Sequence, residues 1–298
     1  MRAVIIGASG LVGMALYQTF QRQGIPVVGT RNSSPSECGL IQFNLLRDHL
    51  LDHISDVNDR DTIYLLAAYS NPSWIFENQR IAEELNCIRT KALIDAVRSR
   101  RPRIIFMSSV EVFDGMTGSY REDDEARPLN FYGVLKERVE KVLCASYENH
   151  TIVRTGWNVG WNVSSRCVVK LTYETLLKDG ARMARDNVFS IVDVNDTASC
   201  LAGLIHHADV RKIHVCSDES VNRAWLARRI IEKSAWGHLM GFREVDFDEI
   251  AYSERRGRLN DLVNDRSKVL LGMRYRRVQD IIDEKVALLD EHFAAPRA

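Results

Sequence analysis

Short apolar runs alternate with helical patterns along the first half of the chain. Residues 3–6 form a continuous apolar run, which suits a strand buried on both faces. Residues 11–22 place apolar side chains at helical spacing, and the pattern stops near Gly24. Apolar runs at 26–29, 39–43, 62–68, 103–107 and 152–154 predict five more strands, with helices over 81–97 and 132–145 between them. Strand alternating with helix is the pattern of an α/β, doubly wound parallel sheet. Beyond about residue 156 the regularity weakens. The stretch WNVGWNVSSR reads as a loop. A helix is expected over 168–178, a strand over 189–194, a helix over 196–206 and a strand over 212–216. The tail over 223–289 mixes amphipathic helices with a polar, arginine-rich stretch at 253–258. No repeat or low-complexity linker separates the halves, so the second lobe is expected to grow out of the first.

A length of 298 residues accommodates such a sheet plus a smaller lobe, with a core large enough to need no staples. Forty basic residues balance forty acidic ones. No global field draws the chain to nucleic acid or to an anionic membrane. The six cysteines, at 38, 87, 144, 167, 200 and 216, form no CxxC pair and no zinc-spaced cluster with histidine. They read as reduced, mostly buried residues. No metal site is expected. The N-terminus runs from a strand into a glycine turn, unlike a leader segment, and no apolar run reaches membrane-spanning length. A cytoplasmic location is the expectation.

The segment GASGLVG joins the first strand to the first helix. Gly7 can make the tight turn, Gly10 lets backbone approach a pyrophosphate, and Gly13 lets the helix pack on the sheet. The helix N-terminus attracts the anion. The spacing is G-x-x-G-x-x-G, and its position between a buried strand and a helix is the context a dinucleotide site requires. The second strand ends in GTRNSS, with Arg31 where an acidic residue would hold the adenine ribose of NAD. A guanidinium there suits a 2′-phosphate, so NADP (as NADPH) is expected, with NAD possible. Residues 1–155 are thus expected to form a Rossmann-type dinucleotide-binding domain, with 189–217 returning to it. Residues 156–188 and 218–298 then form an α/β substrate-binding lobe.

Tyr132 and Lys136 stand in YGVLK, on one face of a helix. A lysine charge beside a tyrosine lowers the phenol pKa, and such a phenol can give a proton to a carbonyl oxygen as hydride reaches the carbon. Ser109, just after the fifth predicted strand, can hydrogen-bond the same oxygen. Each motif is common alone; glycine turn, serine and Y-x-x-x-K in that order are not.

In this conjunction the sequence resembles the extended short-chain dehydrogenase/reductase superfamily, and within it the dTDP-4-dehydrorhamnose reductase group. The matching stretches are GASGLVG, LLAA at 65–68, Asn86, SSVEVFDG at 108–115, YREDDEARPLNFYGVLKERVE at 120–140 and VRTGWNVG at 153–160. Looser matches are VDVNDTA at 192–198 and RSKVLLG at 266–272. The resemblance implies that Gly7, Ser9, Gly10, Leu11, Val12 and Gly13 hold the pyrophosphate. It places Asn44 and Leu45 near adenine, and Ala67 and Ala68 along the path of the nicotinamide ribose. Tyr132 and Lys136 would bind that ribose as well as act with Ser109. Asn86 would tie its helix to the strand carrying the serine.

One departure bears on the chemistry. Reductases of this group often carry Thr-Asp-Tyr where this chain has Ser109-Val110-Glu111. Glutamate at the third place is found in some sugar 4,6-dehydratases, as a base. Three activities therefore remain in view. The first is NADPH-dependent reduction of a keto group on a nucleotide-activated deoxysugar. The second is dehydration or epimerisation of a nucleotide sugar with retained NAD(P), and the third a non-catalytic NADP-binding regulatory subunit. Other features have plainer readings beside functional ones. Trp157 and Trp161 can stack on a base or pack a loop. Arg255, Arg256 and Arg258 can clamp a diphosphate or face solvent. Glu122 to Glu125 read as a solvated turn. The helices over 81–97 and 132–145 carry more apolar residues than one stripe needs: Leu85, Ile88, Leu93, Ile94, Val97, Val139, Val142 and Leu143. A homodimer is expected from that excess.

Overall fold

The computed structural model describes residues 1–33, 39–163 and 165–293. Cys38 and the last residues of the expected substrate lobe lie outside them. Strand β1 (Arg2–Ile6) leads into helix α1 (Leu11–Arg22), then β2 (Val27–Arg31), β3 (Leu40–Gln42), α2 (Leu50–His53) and β4 (Asp61–Leu65). Next come α3 (Pro72–Glu77) and α4 (Gln79–Glu83), a π-helical segment (Glu84–Arg89), α5 (Thr90–Val97), β5 (Arg103–Met107), α6 (Phe131–Ser146) and β6 (His150–Thr155). The remainder carries β7 (Trp157–Val159), α7 (Val168–Leu176), β8 (Arg182–Ala184), β9 (Val188–Asp193), α8 (Val194–Gly203) and β10 (Lys212–Val215). It ends with β11 (Ser220–Asn222), α9 (Arg223–Lys233), β12 (Arg243–Val245), β13 (Leu259–Asn260), α10 (Asp265–Leu271) and α11 (Val278–His292).

Seven strands form one parallel sheet in the order β3-β2-β1-β4-β5-β6-β10. Ala3 to Ile6 are at most 1% exposed, as a strand covered by helices on both faces must be. The strand order reverses direction between β1 and β4. That switch point opens a crevice at the carboxyl ends of the strands, the usual place for a ligand in such a sheet. β4 stops at Leu65, short of the apolar run, because the amides of Leu66 and Ala67 both turn to the carbonyl of Ile6 (3.0 and 2.8 Å). The chain bends there toward the crevice.

A second sheet is built on β9, which pairs with β7 and β13 in parallel and with β11 antiparallel. β8 and β12 form a separate parallel pair. Of residues 189–217, α8 packs on α1 and β10 joins the central sheet, while β9 is the hub of the second sheet. A distinct core of Tyr173, Ile191, Ala227, Ile282 and Leu289, among others, sits under that second sheet. The predicted helix over 81–97 is broken by the π-helical segment, where the Thr90 hydroxyl bonds the carbonyl of Leu85 at 2.9 Å. No helix among the described residues is long and apolar enough to cross a membrane. Cys167, Cys200 and Cys216 are buried, Cys87 is half-buried and Cys144 exposed.

Candidate active site

The glycine turn is held from below. The Thr30 hydroxyl accepts the amide of Gly7 at 3.0 Å, which anchors the turn to β2. Gly7 has φ +94°, and a Cβ there would stand 2.8 Å from the amide nitrogen of Ala67. Only glycine fits that approach at the switch point. A Cβ on Gly13 would lie 2.1 Å from the carbonyl oxygen of Gly7, so helix and turn are in direct contact. Gly10 caps α1 in extended conformation, and the nearest atom to a Cβ there is the Gly7 oxygen at 3.3 Å. The bare backbone at Gly10 leaves the cradle that a pyrophosphate needs above a helix N-terminus.

Across the crevice, β5 ends at Met107 and the chain turns through Ser108 and Ser109. Ser109 caps a single 3₁₀ turn, its hydroxyl accepting the amide of Glu111 at 3.2 Å. The next long helix, α6, starts against that turn. Asn130 caps it by accepting the amide of Gly133 at 2.9 Å, and its side-chain amide donates to Glu111 Oε2 at 2.6 Å. A Cβ on Gly133 would collide with the Glu111 carbonyl at 2.0 Å. This close seat delivers Tyr132 and Lys136 to the crevice.

A cavity of about 330 Å³ joins the two halves. Its lining includes Gly7, Gly10, Leu11, Val12 and Gly13 on one side, and Ser109, Tyr132 and Lys136 on the other. Ala68 and Glu111 also face it. Ser9, Arg31, Asn44, Leu45 and Ala67 do not line it. Arg31 ends β2, one residue past the Thr30 that holds the turn. Asn44 follows β3 and accepts the amide of Leu46 at 2.9 Å, while the Leu45 side chain is buried in the core beneath the sheet. Ala67 lies against Gly7.

The electrostatics differ from the sequence expectation at one point. Lys136 donates to the carbonyl of Met107 at 2.8 Å, and its Nζ lies 5.8 Å from the centroid of the Tyr132 ring. Burial pushes the Tyr132 phenol up; the Ser109 hydroxyl opposes this and Glu111 adds to it. The expected pull of Lys136 is not among the influences on that phenol. Lys136 is itself lowered to about 8 by burial, against the opposing charge of Glu140. Burial also raises Glu111, whose oxygens accept from Asn130 and, at 3.4 Å, from Asn260.

A second cavity of about 380 Å³ adjoins the first and shares Ser70, Pro72, Trp157, Arg166 and Arg256 with it. Arg223 and Arg182 line it too. The Arg223 guanidinium lies 4.8 Å from the Phe189 ring and 5.6 Å from the Trp157 ring, and burial lowers it to about 10. Its hydrogen bond goes to the Thr172 hydroxyl at 3.4 Å. Among the described residues neither Arg166 nor Arg223 has a carboxylate partner, whereas Arg256 is paired with Glu254 at 3.1 Å. Arg166, Arg223 and Ser70 carried no recognisable sequence signal. Ser108 and Thr155 could have been found from their place at strand ends.

Several expectations are revised. Of Arg255, Arg256 and Arg258, only Arg256 reaches the paired cavities; Arg258 faces Asp186 at the surface. Trp161 lies under Arg276, 5.0 Å from ring to guanidinium, which leaves Trp157 as the tryptophan of the site. Asn86 does not reach the strand carrying Ser109. Its side chain bonds both backbone groups of Tyr69, at 2.8 Å each, and so fixes the loop after β4. The acidic run is structural: Glu122 accepts the amide of His214 at 3.0 Å and Asp123 pairs with Arg266 at 2.6 Å. No group of three or more His, Cys, Asp or Glu among the described residues is placed to hold a metal ion.

Comparison with known proteins gives three likenesses of different reach. The chain is 32% identical to methionine adenosyltransferase 2 subunit beta of Bos taurus over 155 residues, 51% of this chain and 46% of that one. It thus spans about half the length of the curated relatives it matches first. It is 24% identical to dTDP-4-dehydrorhamnose reductase of Mycobacterium tuberculosis over 241 residues, 78% of this chain and 75% of that one. The fold is shared with a dTDP-4-dehydrorhamnose reductase from Bacillus anthracis solved in complex with NADP. There the TM-score is 0.79 at 17% identity, covering 96% of this chain and 98% of that one. The family described as RmlD substrate binding domain matches residues 1–289, and the chain belongs to that family within the extended short-chain dehydrogenase/reductase superfamily.

Proposed function

We propose that this protein is an NADPH-dependent reductase of a keto group on a nucleotide-activated deoxysugar. One observation carries the reading: a single cavity is lined by the glycine turn on one side and by Ser109, Tyr132 and Lys136 on the other. Gly7, Ser9, Gly10, Leu11, Val12 and Gly13 would hold the dinucleotide pyrophosphate, with Arg31 toward the 2′-phosphate and Asn44 and Leu45 toward adenine. Ala67 and Ala68 would border the nicotinamide ribose, which Tyr132 and Lys136 also bind. A dinucleotide held there would supply hydride. Ser109 holds the substrate carbonyl oxygen and Tyr132 gives it a proton. Burial raises the phenol, so Tyr132 carries the proton it would give.

Residues 1–155 and the returning strand β10 would serve the dinucleotide, and residues 156–188 and 218–298 the substrate. The second cavity supports a nucleotide sugar, because the Arg166 and Arg223 guanidinium groups lack carboxylates and match phosphate oxygens. Glu111 speaks against dehydration. Both of its oxygens already accept side-chain amides, from Asn130 and Asn260. The likeness to an adenosyltransferase beta subunit favours a second reading, a dinucleotide-binding subunit without catalysis. Intact Ser109, Tyr132 and Lys136 weigh for the enzyme. Titrating the protein with NADPH, and then following NADPH oxidation against a panel of dTDP- and UDP-linked 4-keto sugars, tests both. Turnover with any of them establishes the reductase; tight NADPH binding with none turned over favours the subunit.

A further inference from the structure

Beneath the site lies a charged pair that neither the cavities nor the reacting groups use. Glu140, one helical turn past Lys136 on α6, is 5% exposed, and Arg154 on β6 is 1% exposed. Arg154 grips the carboxylate with both Nε and Nη2, at 3.0 and 2.6 Å. A buried pair of this kind is weak evidence for stability, since apolar residues of equal volume often do as well. Its position relative to Ser108 suggests another use. The Ser108 hydroxyl donates to Glu140 Oε1 at 2.5 Å, and the Ser108 amide donates to the carbonyl of Val153 at 2.7 Å. That amide shares its peptide plane with the Met107 carbonyl, which accepts Lys136 at 2.8 Å. On its other side Ser108 is followed directly by Ser109. One residue therefore sets both the acceptor of Lys136 and the start of the turn that aims the Ser109 hydroxyl.

We propose that Glu140 is a positioning residue: clamped by Arg154, it holds Ser108 and thereby fixes the Met107 carbonyl under Lys136 and the Ser109 hydroxyl beside Tyr132. This rests on the reading of Ser109, Tyr132 and Lys136 as the reacting set. The same carboxylate keeps Lys136 charged. Glu140 raises the lysine where burial lowers it. Tyr132 on the same helix lies against Lys136, Glu111 acts on that phenol, and Arg154 on β6 and Lys212 on β10 lie about Glu140. Glu140 is the one whose charge acts on the ammonium; Arg154 faces its carboxylate.

The test is NADPH binding to the full chain as a function of pH, on either side of the value of about 8 toward which burial lowers Lys136. Wild-type affinity should fall on the alkaline side as the ammonium that grips the ribose loses its proton. In Glu140→Gln the fall should come about one pH unit lower, the order expected when one neighbouring opposite charge is removed. Glu140→Asp should restore most of the difference. Because Glu140→Gln leaves Arg154 buried without its partner, the double variant Glu140→Gln/Arg154→Met is measured beside it. The double variant removes that uncompensated charge as well, and the midpoint should still move in the same direction as in Glu140→Gln. A folded variant with the wild-type midpoint overturns the proposal, as does a wild-type affinity that stays flat into alkaline pH. Failure of the wild type to bind NADPH or NADH at any pH overturns instead the reading on which it rests.

Discussion

The Lys136 ammonium is bound to the carbonyl of Met107, 2.8 Å away, and not to Tyr132 in the same helix. Met107 and Lys136 both line the cavity, with the glycine turn on its other side. The burial of Lys136 has a thermodynamic consequence that can be measured. Lys136 is lowered from 10.5 to about 8. Between those values the unfolded chain binds the extra proton, so stability rises with pH through that window. Below about 8 the whole cost is present, about 3 kcal/mol at most. The lost bond to Met107 offsets about 1 kcal/mol of any gain from removing the charge. Lys136→Met should thus melt no lower than wild type at pH 7, and its advantage should shrink as pH approaches 10, while NADPH affinity is lost. Thermal melts at three pH values check the sign.

Two glycines should respond oppositely to alanine. At Gly13 a Cβ meets the Gly7 carbonyl at 2.1 Å, so Gly13→Ala must push α1 off the turn, with loss of dinucleotide binding. At Gly203, in the last turn of α8, nothing lies within 4 Å of a Cβ. Gly203→Ala should stabilise the protein by roughly 0.5–1 kcal/mol with binding intact. Denaturant melts and NADPH titrations of the two variants separate close approach from simple chain entropy.

The glycine turn and the Tyr132–Lys136 pair were legible because each is a fixed spacing within one element, set by local geometry alone. The central sheet was legible for a related reason: strands buried on both faces read as short apolar runs. The arginines of the second cavity were not. Arg166 stands on the loop after β7 and Arg223 opens α9; only the short strands around β9 bring them together, and strands of two or three residues leave no periodicity to read. Glu140 has no signal of its own in the sequence; only the fold sets Arg154 on β6 opposite it. The Asn86 expectation came from the resemblance alone; the side chain instead bonds both backbone groups of Tyr69, a contact no sequence pattern marks.

Cofactor preference should follow Arg31. Arg31→Asp removes the group suited to a 2′-phosphate and supplies one suited to a free ribose hydroxyl. NADPH affinity should fall and NADH affinity should hold or rise. Equal affinity of the wild-type protein for the two dinucleotides would contradict this role.

Five of the eight apolar residues that suggested a dimer (Leu93, Ile94, Val97, Val139 and Leu143) are buried in the chain's own core. The surface that remains is narrower: Ile81 at 41% and Ile88 at 50% exposed, seven residues apart, with Leu85 and Val142 half-buried nearby. A homodimer formed through this face should dissociate in Ile88→Arg without loss of melting cooperativity. Mass measurement in solution at micromolar concentration decides; a monomeric wild type removes the expectation.

The proposed proton donor is Tyr132. With a 4-keto nucleotide sugar that the wild type reduces, Tyr132→Phe should lower the initial rate of NADPH oxidation at least about a hundredfold, the low end for general acid catalysis. NADPH binding should be nearly unchanged, because the ring and Lys136 remain. Ser109→Ala should cost less, since a hydrogen bond is lost but the donor stays. Glu111→Gln should keep most of the rate, its oxygens being occupied by Asn130 and Asn260. A Tyr132→Phe variant with near-wild-type turnover, or a Glu111→Gln variant as inactive as Tyr132→Phe, would contradict the assignment.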